Sequence, residues 1–172
     1  MNKGTRKNIA LLGFMGTGKT TVGQLLATQF RMTFVDMDRV IEERAGKAVS
    51  RIFEEDGEPH FRSLERALVR ELSAKQGLVI GAGGGVVLNS DNVSDLSRSG
   101  LVVCLMAAPE EILKRLSGDN KRPLLEGGEK AAKILKLLES RLALYESIPR
   151  RVDTTHLTPV EVAEKVTALL RE

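Results

Sequence analysis

Aromatic residues are scarce in this chain: there is no Trp, one Tyr and five Phe. That scarcity argues against an aromatic platform on which single-stranded bases could stack. A single cysteine cannot close an internal disulfide, so no oxidising compartment is implied. No uninterrupted apolar run approaches the roughly 18 residues that a membrane-spanning helix needs. Residues 1–7 are polar and basic, but the apolar run at 9–12 behind them is too short for a secretory signal. Nor does one sign of charge dominate. Lys and Arg number 26 and Asp and Glu 23, and the net charge of +3 is too small to argue for a nucleic-acid or membrane-surface partner. The expectation is a soluble, reducing, cytoplasmic protein with neither of those partners.

What is present is enough for one folded domain. The chain has 172 residues, 42% of them apolar, which suffices for a sizeable core and argues against disorder. Residues 8–12 form a short apolar run ending in glycine, the pattern of a buried parallel strand. Val22, Leu25, Leu26 and Phe30 then recur at helical spacing, and a second strand is expected at 33–36. Helices are predicted over 38–45, 50–56, 58–75, 109–116, 130–146 and 159–170, with strands at 79–81, 101–106 and 152–154. Alternation of this kind implies a single α/β domain over 1–172, an αβα layer architecture with a mostly parallel central sheet. Residues 117–129 are rich in glycine and charge and lack periodicity. A loop of that length in a compact domain usually has a use.

The sequence Gly13-Phe14-Met15-Gly16-Thr17-Gly18-Lys19-Thr20 fits G-x-x-x-x-G-K-[ST], a phosphate-binding loop, and it lies between a strand and a helix as that motif requires. The glycines let backbone N–H groups converge on an anion, and the helix that starts near Lys19 adds its positive end. Lys19 supplies a mobile charge for the β- and γ-phosphates of ATP, and Thr20 a hydroxyl for Mg²⁺. The candidate nucleotide set is therefore Gly13, Gly16, Thr17, Gly18, Lys19, Thr20 and Thr21. The alternative is a glycine-rich strand–helix turn that binds no nucleotide. Many reactions use such a loop, so the acceptor must be read from the rest of the chain.

Asp36 and Asp38 end the second strand, where ligands of parallel α/β sheets bind. One could meet Mg²⁺ through water and the other could take a proton from a substrate hydroxyl. Asp38 could instead be no more than the cap of the helix it begins. Arg62 lies one helical turn from Glu65, which could hold it in place, although that spacing also suits a surface ion-pair lattice. Gly83, Gly84 and Gly85 read as a turn approached closely by a ligand, or as a plain strand-to-loop turn.

These motifs together resemble the shikimate kinase family. The resemblance is carried by D-M-D-x-x-I-E from Asp36, I-F-E-E-D-G-E-P-H-F-R-x-x-E from Ile52, the three glycines at 83–85, R-P-L-L from Arg122, and R-x-x-x-Y from Arg141 to Tyr145. It implies a phosphate-loop kinase fold and ATP-dependent phosphorylation of the 3-hydroxyl of shikimate, within aromatic amino-acid biosynthesis. It further implies that Asp36 and Thr20 serve Mg²⁺ and that Asp38 contacts the substrate hydroxyls and accepts the proton. Arg62 and Arg141 would bind the substrate carboxylate, Phe53 and Phe61 would flank its ring, and Gly83 to Gly85 would lie beside it. Arg122 would reach the phosphates from a lid over 117–129 hinged at Gly118, Gly127 and Gly128, while Arg115 would lie beside adenine. Lys19, Asp38 and Arg122 form the expected catalytic set, residues 38–75 the substrate-binding helical segment, and the family pattern suggests a monomer. Competing readings are a gluconate or nucleotide kinase, which would share the loop and lid, and a nucleotide-binding module without transfer activity.

Overall fold

The computed structural model describes residues 7–118 and 128–171. Among them, five parallel strands form one sheet: β1 (Asn8–Leu12), β2 (Thr33–Asp36), β3 (Leu78–Gly81), β4 (Gly100–Met106) and β5 (Arg151–Asp153), in the order β2-β3-β1-β4-β5. The helices are α1 (Lys19–Phe30), α2 (Met37–Ala45), α3 (Val49–Asp56), α4 (Glu58–Ser73), α5 (Ser90–Ser99), α6 (Pro109–Ser117), α7 (Glu129–Glu146) and α8 (Pro159–Leu169).

Alternation along β1 builds the two cores. Ile9 and Leu11 pack with Val22 and Leu26 of α1 and with Val162 and Val166 of α8. Ala10 and Leu12 face the other way, into a larger core with Phe61, Leu68, Leu72, Leu96, Leu138 and Tyr145. The single cysteine, Cys104, is fully buried there.

The breaks between helices are chemically specified. α2 stops at Gly46 in a left-handed conformation (φ +70°), and the α3–α4 junction turns at Gly57 (φ +86°, ψ 160°), a region almost closed to other residues. α8 opens with a complete capping box: Thr158 Oγ1 accepts from Glu161 N at 3.3 Å, and Thr158 N donates to Glu161 Oε2 at 2.7 Å. The helix α5 has no counterpart in the expected pattern. Its segment, SDNVSDLSRS, is poor in helix formers and carries only two apolar positions. The Asn89 side chain caps it, Leu96 anchors it in the core, and Arg66 of α4 pairs with Asp95 at 2.7 Å.

Candidate active site

Strand β1 delivers the glycine-rich loop to the carboxyl edge of the sheet. There Gly13, Gly16 and Gly18 all have positive φ (136°, 77° and 96°). The Lys19 side chain folds back over the loop, donating from Nζ to Gly13 O and Phe14 O, each at 2.8 Å. Burial lowers its pKa from 10.5 to about 8, while Asp38 and Asp36 act in the opposite direction. Thr20 Oγ1 donates to Asp36 Oδ2 at 3.2 Å, and Asp36 Oδ1 accepts from Arg39 N at 3.2 Å. Asp36 is thus the cap of α2, and the capping reading of Asp38 is corrected by two residues. Asp38 lies inside the first turn with its carboxylate toward the loop. Burial and the neighbouring Asp36 push its pKa up, against the pull of Lys19 and Arg62.

Across the cleft, α4 presents Arg62 and Glu65 three residues apart. Arg62 Nη1 donates to Glu65 Oε1 at 2.9 Å, Glu58 Oε1 lies 3.2 Å from Nη2, and the guanidinium sits over the Phe61 and Phe53 rings at 5.2 and 5.8 Å. Glu65 is 1% exposed, and its second oxygen, Oε2, has no hydrogen-bond partner among the described residues. Its pKa is raised, chiefly by burial. The glycine turn after β3 is shaped by these groups. A Cβ at Gly83 would lie 2.8 Å from Asp38 Oδ1 and 3.2 Å from Glu65 Oε2, and one at Gly85 only 2.6 Å from Arg62 Cζ. One at Gly84 would lie 3.6 Å from Arg141 Nη1 of α7.

One cleft of about 680 Å³ gathers Gly16, Gly18, Lys19, Thr20, Thr21, Asp36, Asp38, Phe53, Phe61, Arg62, Gly83, Gly84, Gly85 and Arg141 along its walls. Its lining joins an anion-binding loop, a carboxylate pair and two arginines, as transfer of a phosphoryl group to a small anionic acceptor requires.

The shikimate kinase family model matches residues 15–171. The chain belongs to the shikimate kinase family. It is 44% identical over 160 residues to the shikimate kinase of Thermodesulfovibrio yellowstonii, covering 93% of this chain and 92% of that protein. It is 48% identical over 148 residues to the enzyme of Desulforudis audaxviator, covering 86% and 78%. Among solved structures, the shikimate kinase from Acinetobacter baumannii in complex with shikimate matches with a TM-score of 0.86 and 36% identity, covering 97% of this chain and 94% of that one. A gluconokinase from Sinorhizobium meliloti, at 18% identity and a TM-score of 0.64, shares the fold alone.

Three expected positions of the family pattern need separate comment. Thr17 is 2% exposed, its hydroxyl donates inward to Phe14 O at 2.8 Å, and it stands outside the cleft lining. Gly13 underlies the loop, where a Cβ would lie 2.9 Å from Thr17 Oγ1. Arg115 stands outside the cleft lining. Its guanidinium donates to Glu111 Oε1 (2.9 Å), Gly16 O (3.3 Å), Thr154 Oγ1 (3.0 Å) and Thr154 O (2.8 Å), tying the loop to the strand β5 exit. Arg122 and Gly127 lie outside the described residues. The two flanking hinge candidates, Gly118 and Gly128, both have positive φ, at 51° and 122°.

Two residues in the site were not among the expected ligands. Glu65 was expected only as a brace, yet it also lines the cleft, with Oε2 buried and unpaired among the described residues. Tyr145 went unassigned, although the only tyrosine of the chain, four residues after Arg141, is signal enough to ask where its hydroxyl goes.

Proposed function

We propose that this protein transfers the γ-phosphoryl group of ATP to the 3-hydroxyl of shikimate, giving shikimate 3-phosphate and ADP, with the residue roles that follow. The observation that carries the reading is the placement of Arg62, Arg141 and Asp38 around the glycine turn, in one cleft with the phosphate loop. Guanidinium groups match a carboxylate with paired donors, so Arg62 and Arg141 bind the acid group of the acceptor. Phe53 and Phe61, with ring centroids 4.8 Å apart, give its ring an apolar flank, and the glycine turn lets it approach the backbone. A carboxylate-bearing acceptor also favours shikimate over a nucleoside monophosphate.

Catalysis rests on position and charge. The bond between the γ-phosphorus and the β,γ-bridging oxygen breaks, the substrate oxygen bonds to phosphorus, and the hydroxyl proton passes to Asp38 as ADP departs. Lys19 leaves the carbonyls of Gly13 and Phe14 and turns to the phosphates, which favour its charged form. Arg122, on the resemblance alone, adds a second cation from the segment over 117–129. Thr20 and Asp36 put a hydroxyl and a carboxylate oxygen 3.2 Å apart, hard oxygen donors that suit Mg²⁺ held largely by water and phosphate. When bound, Mg²⁺ neutralises developing charge on the phosphates. The test is ADP release from ATP and Mg²⁺ with shikimate, beside gluconate and nucleoside monophosphates. Stimulation by shikimate alone is expected, and stimulation by another acceptor instead would overturn the assignment of Arg62, Arg141 and Asp38.

A further inference from the structure

The glycine turn must hold its shape for two arginines and a carboxylate to use it, yet glycine is the residue with most freedom to lose. Something has to fix it. Tyr145, near the end of α7, is 1% exposed, and its hydroxyl donates to Gly84 O at 2.6 Å, across 61 residues of chain. Its ring meets Phe14 of the phosphate loop edge to face, with centroids 6.4 Å apart and planes at 76°. Phe14 O in turn accepts from both Lys19 Nζ and Thr17 Oγ1. A side chain at Gly84 would lie equally close, at 3.8 Å, to Tyr145 Oη and to Met15 N. The same helix carries Arg141 one turn earlier, on the face that reaches the turn. One buried side chain thereby touches the acceptor side of the cleft through its hydroxyl and the nucleotide side through its ring.

We infer that Tyr145 is a positioning residue for the acceptor: its hydroxyl fixes the Gly83–Gly84–Gly85 turn against Arg141, while its ring separately supports the phosphate loop. Tyr145 touches neither substrate. It acts through Gly84 and Arg141, both of which its hydroxyl meets, and the inference rests on the shikimate kinase reading above. The two halves of the side chain have separable effects. Tyr145→Phe keeps the edge contact with Phe14 and removes the hydroxyl, leaving Gly84 O without its donor and Arg141 without the hydrogen bond that it shares with that hydroxyl. Tyr145→Leu removes both.

The test is steady-state kinetics on both variants, with ADP affinity measured by calorimetry and melting temperature recorded. For Tyr145→Phe, the KM for shikimate rises by roughly five- to thirtyfold, as loss of a buried hydrogen bond would give. ADP affinity and kcat stay close to wild type. For Tyr145→Leu, ADP affinity falls as well. An unchanged shikimate KM in Tyr145→Phe overturns the inference. So does an equal loss of shikimate and ADP affinity in that variant with a lowered melting temperature, which would make Tyr145 a general packing residue. Should Tyr145→Phe be poorly folded, the same comparison is made with Gly84→Val, whose methyls would extend beyond a Cβ that already lies 3.6 Å from Arg141 Nη1 and 3.8 Å from Tyr145 Oη and Met15 N; an unchanged shikimate KM there also overturns it. Absence of shikimate-dependent ADP release in the wild-type protein is a different failure, that of the activity itself.

Discussion

Lys19 offers a measurable consequence of how the free site is arranged. Its ammonium lies over two loop carbonyls, and burial holds its pKa near 8 instead of 10.5. A lysine depressed in this way carries fewer protons in the folded protein than in the unfolded chain between those two values. The free protein therefore gains stability from this group as pH rises through that window. Phosphate oxygens placed beside the ammonium reverse the depression, so nucleotide binding takes up a proton wherever the free lysine is neutral. With a pKa of about 8, the uptake is about 0.1 proton at pH 7, about 0.5 at pH 8 and about 0.9 at pH 9. If only the charged lysine holds the phosphates, the apparent Kd for ADP weakens about tenfold from pH 7 to pH 9. Calorimetric titration with ADP in buffers of different ionisation enthalpy reads both quantities. Other buried groups should not imitate the effect: burial pushes the Cys104 thiol up to about 12 and also raises the Tyr145 hydroxyl. Zero uptake at pH 9, or uptake that does not change between pH 7 and pH 9, would refute the arrangement of Lys19 in the free loop.

Three substitutions test the acceptor side. Asp38→Asn should lower kcat by at least about a hundredfold, the usual worth of a positioned base, while ADP affinity stays at the wild-type level; near-normal turnover would send the proton elsewhere. Arg62→Ala should weaken shikimate binding about ten- to a hundredfold by calorimetry, since a paired charged contact is lost, and an unchanged Kd would return Arg62 to the protein surface. Gly85→Ala isolates crowding from backbone strain. Its φ of −93° suits alanine, so melting should change little, but the new Cβ would stand 2.6 Å from Arg62 Cζ and should raise the shikimate KM by about tenfold. If that KM holds, Arg62 is not seated against the turn.

What the sequence reveals and conceals follows from how local each signal is. Strand β1, the loop and α1 are legible because glycine spacing, an apolar run and a helical period agree within 23 residues. Helix α5 is not, because its ten residues include four Ser and two Asp, and what holds it helical is the Asn89 cap, the pairing of Asp95 with Arg66 of α4 and the burial of its own Leu96 in the larger core. Asp36 and Asp38 show the finer limit. Residue type predicts that one caps α2, but a boundary shift of two residues decides which, and that shift frees Asp38 for the cleft. Thr17 and Arg115 mark another limit. Their motifs predict proximity to the loop, yet whether a side chain faces ligand or protein depends on backbone φ at Gly16 and Gly18 and on Thr154, a residue 39 positions from Arg115.

The charges of the cleft make most sense as a balance completed by ligands. Four carboxylates, Asp36, Asp38, Glu58 and Glu65, face Lys19, Arg62 and Arg141 around one space. In isolation the set does not close. Glu65 Oε2 has no hydrogen-bond partner among the described residues, Lys19 donates to two carbonyls rather than to an anion, and Asp38 is held above its usual carboxylate range. Each is a costly state for a buried polar group, and such groups are normally satisfied. On the proposed reading, an acceptor with vicinal hydroxyls offers donors to Asp38 and Glu65, and its carboxylate offers acceptors to Arg62 and Arg141. The phosphates of ATP give Lys19 the anion it lacks. The same groups that leave the free cleft incompletely paired are therefore those that gain most when both substrates are present, which is how binding free energy becomes tied to the presence of the correct pair.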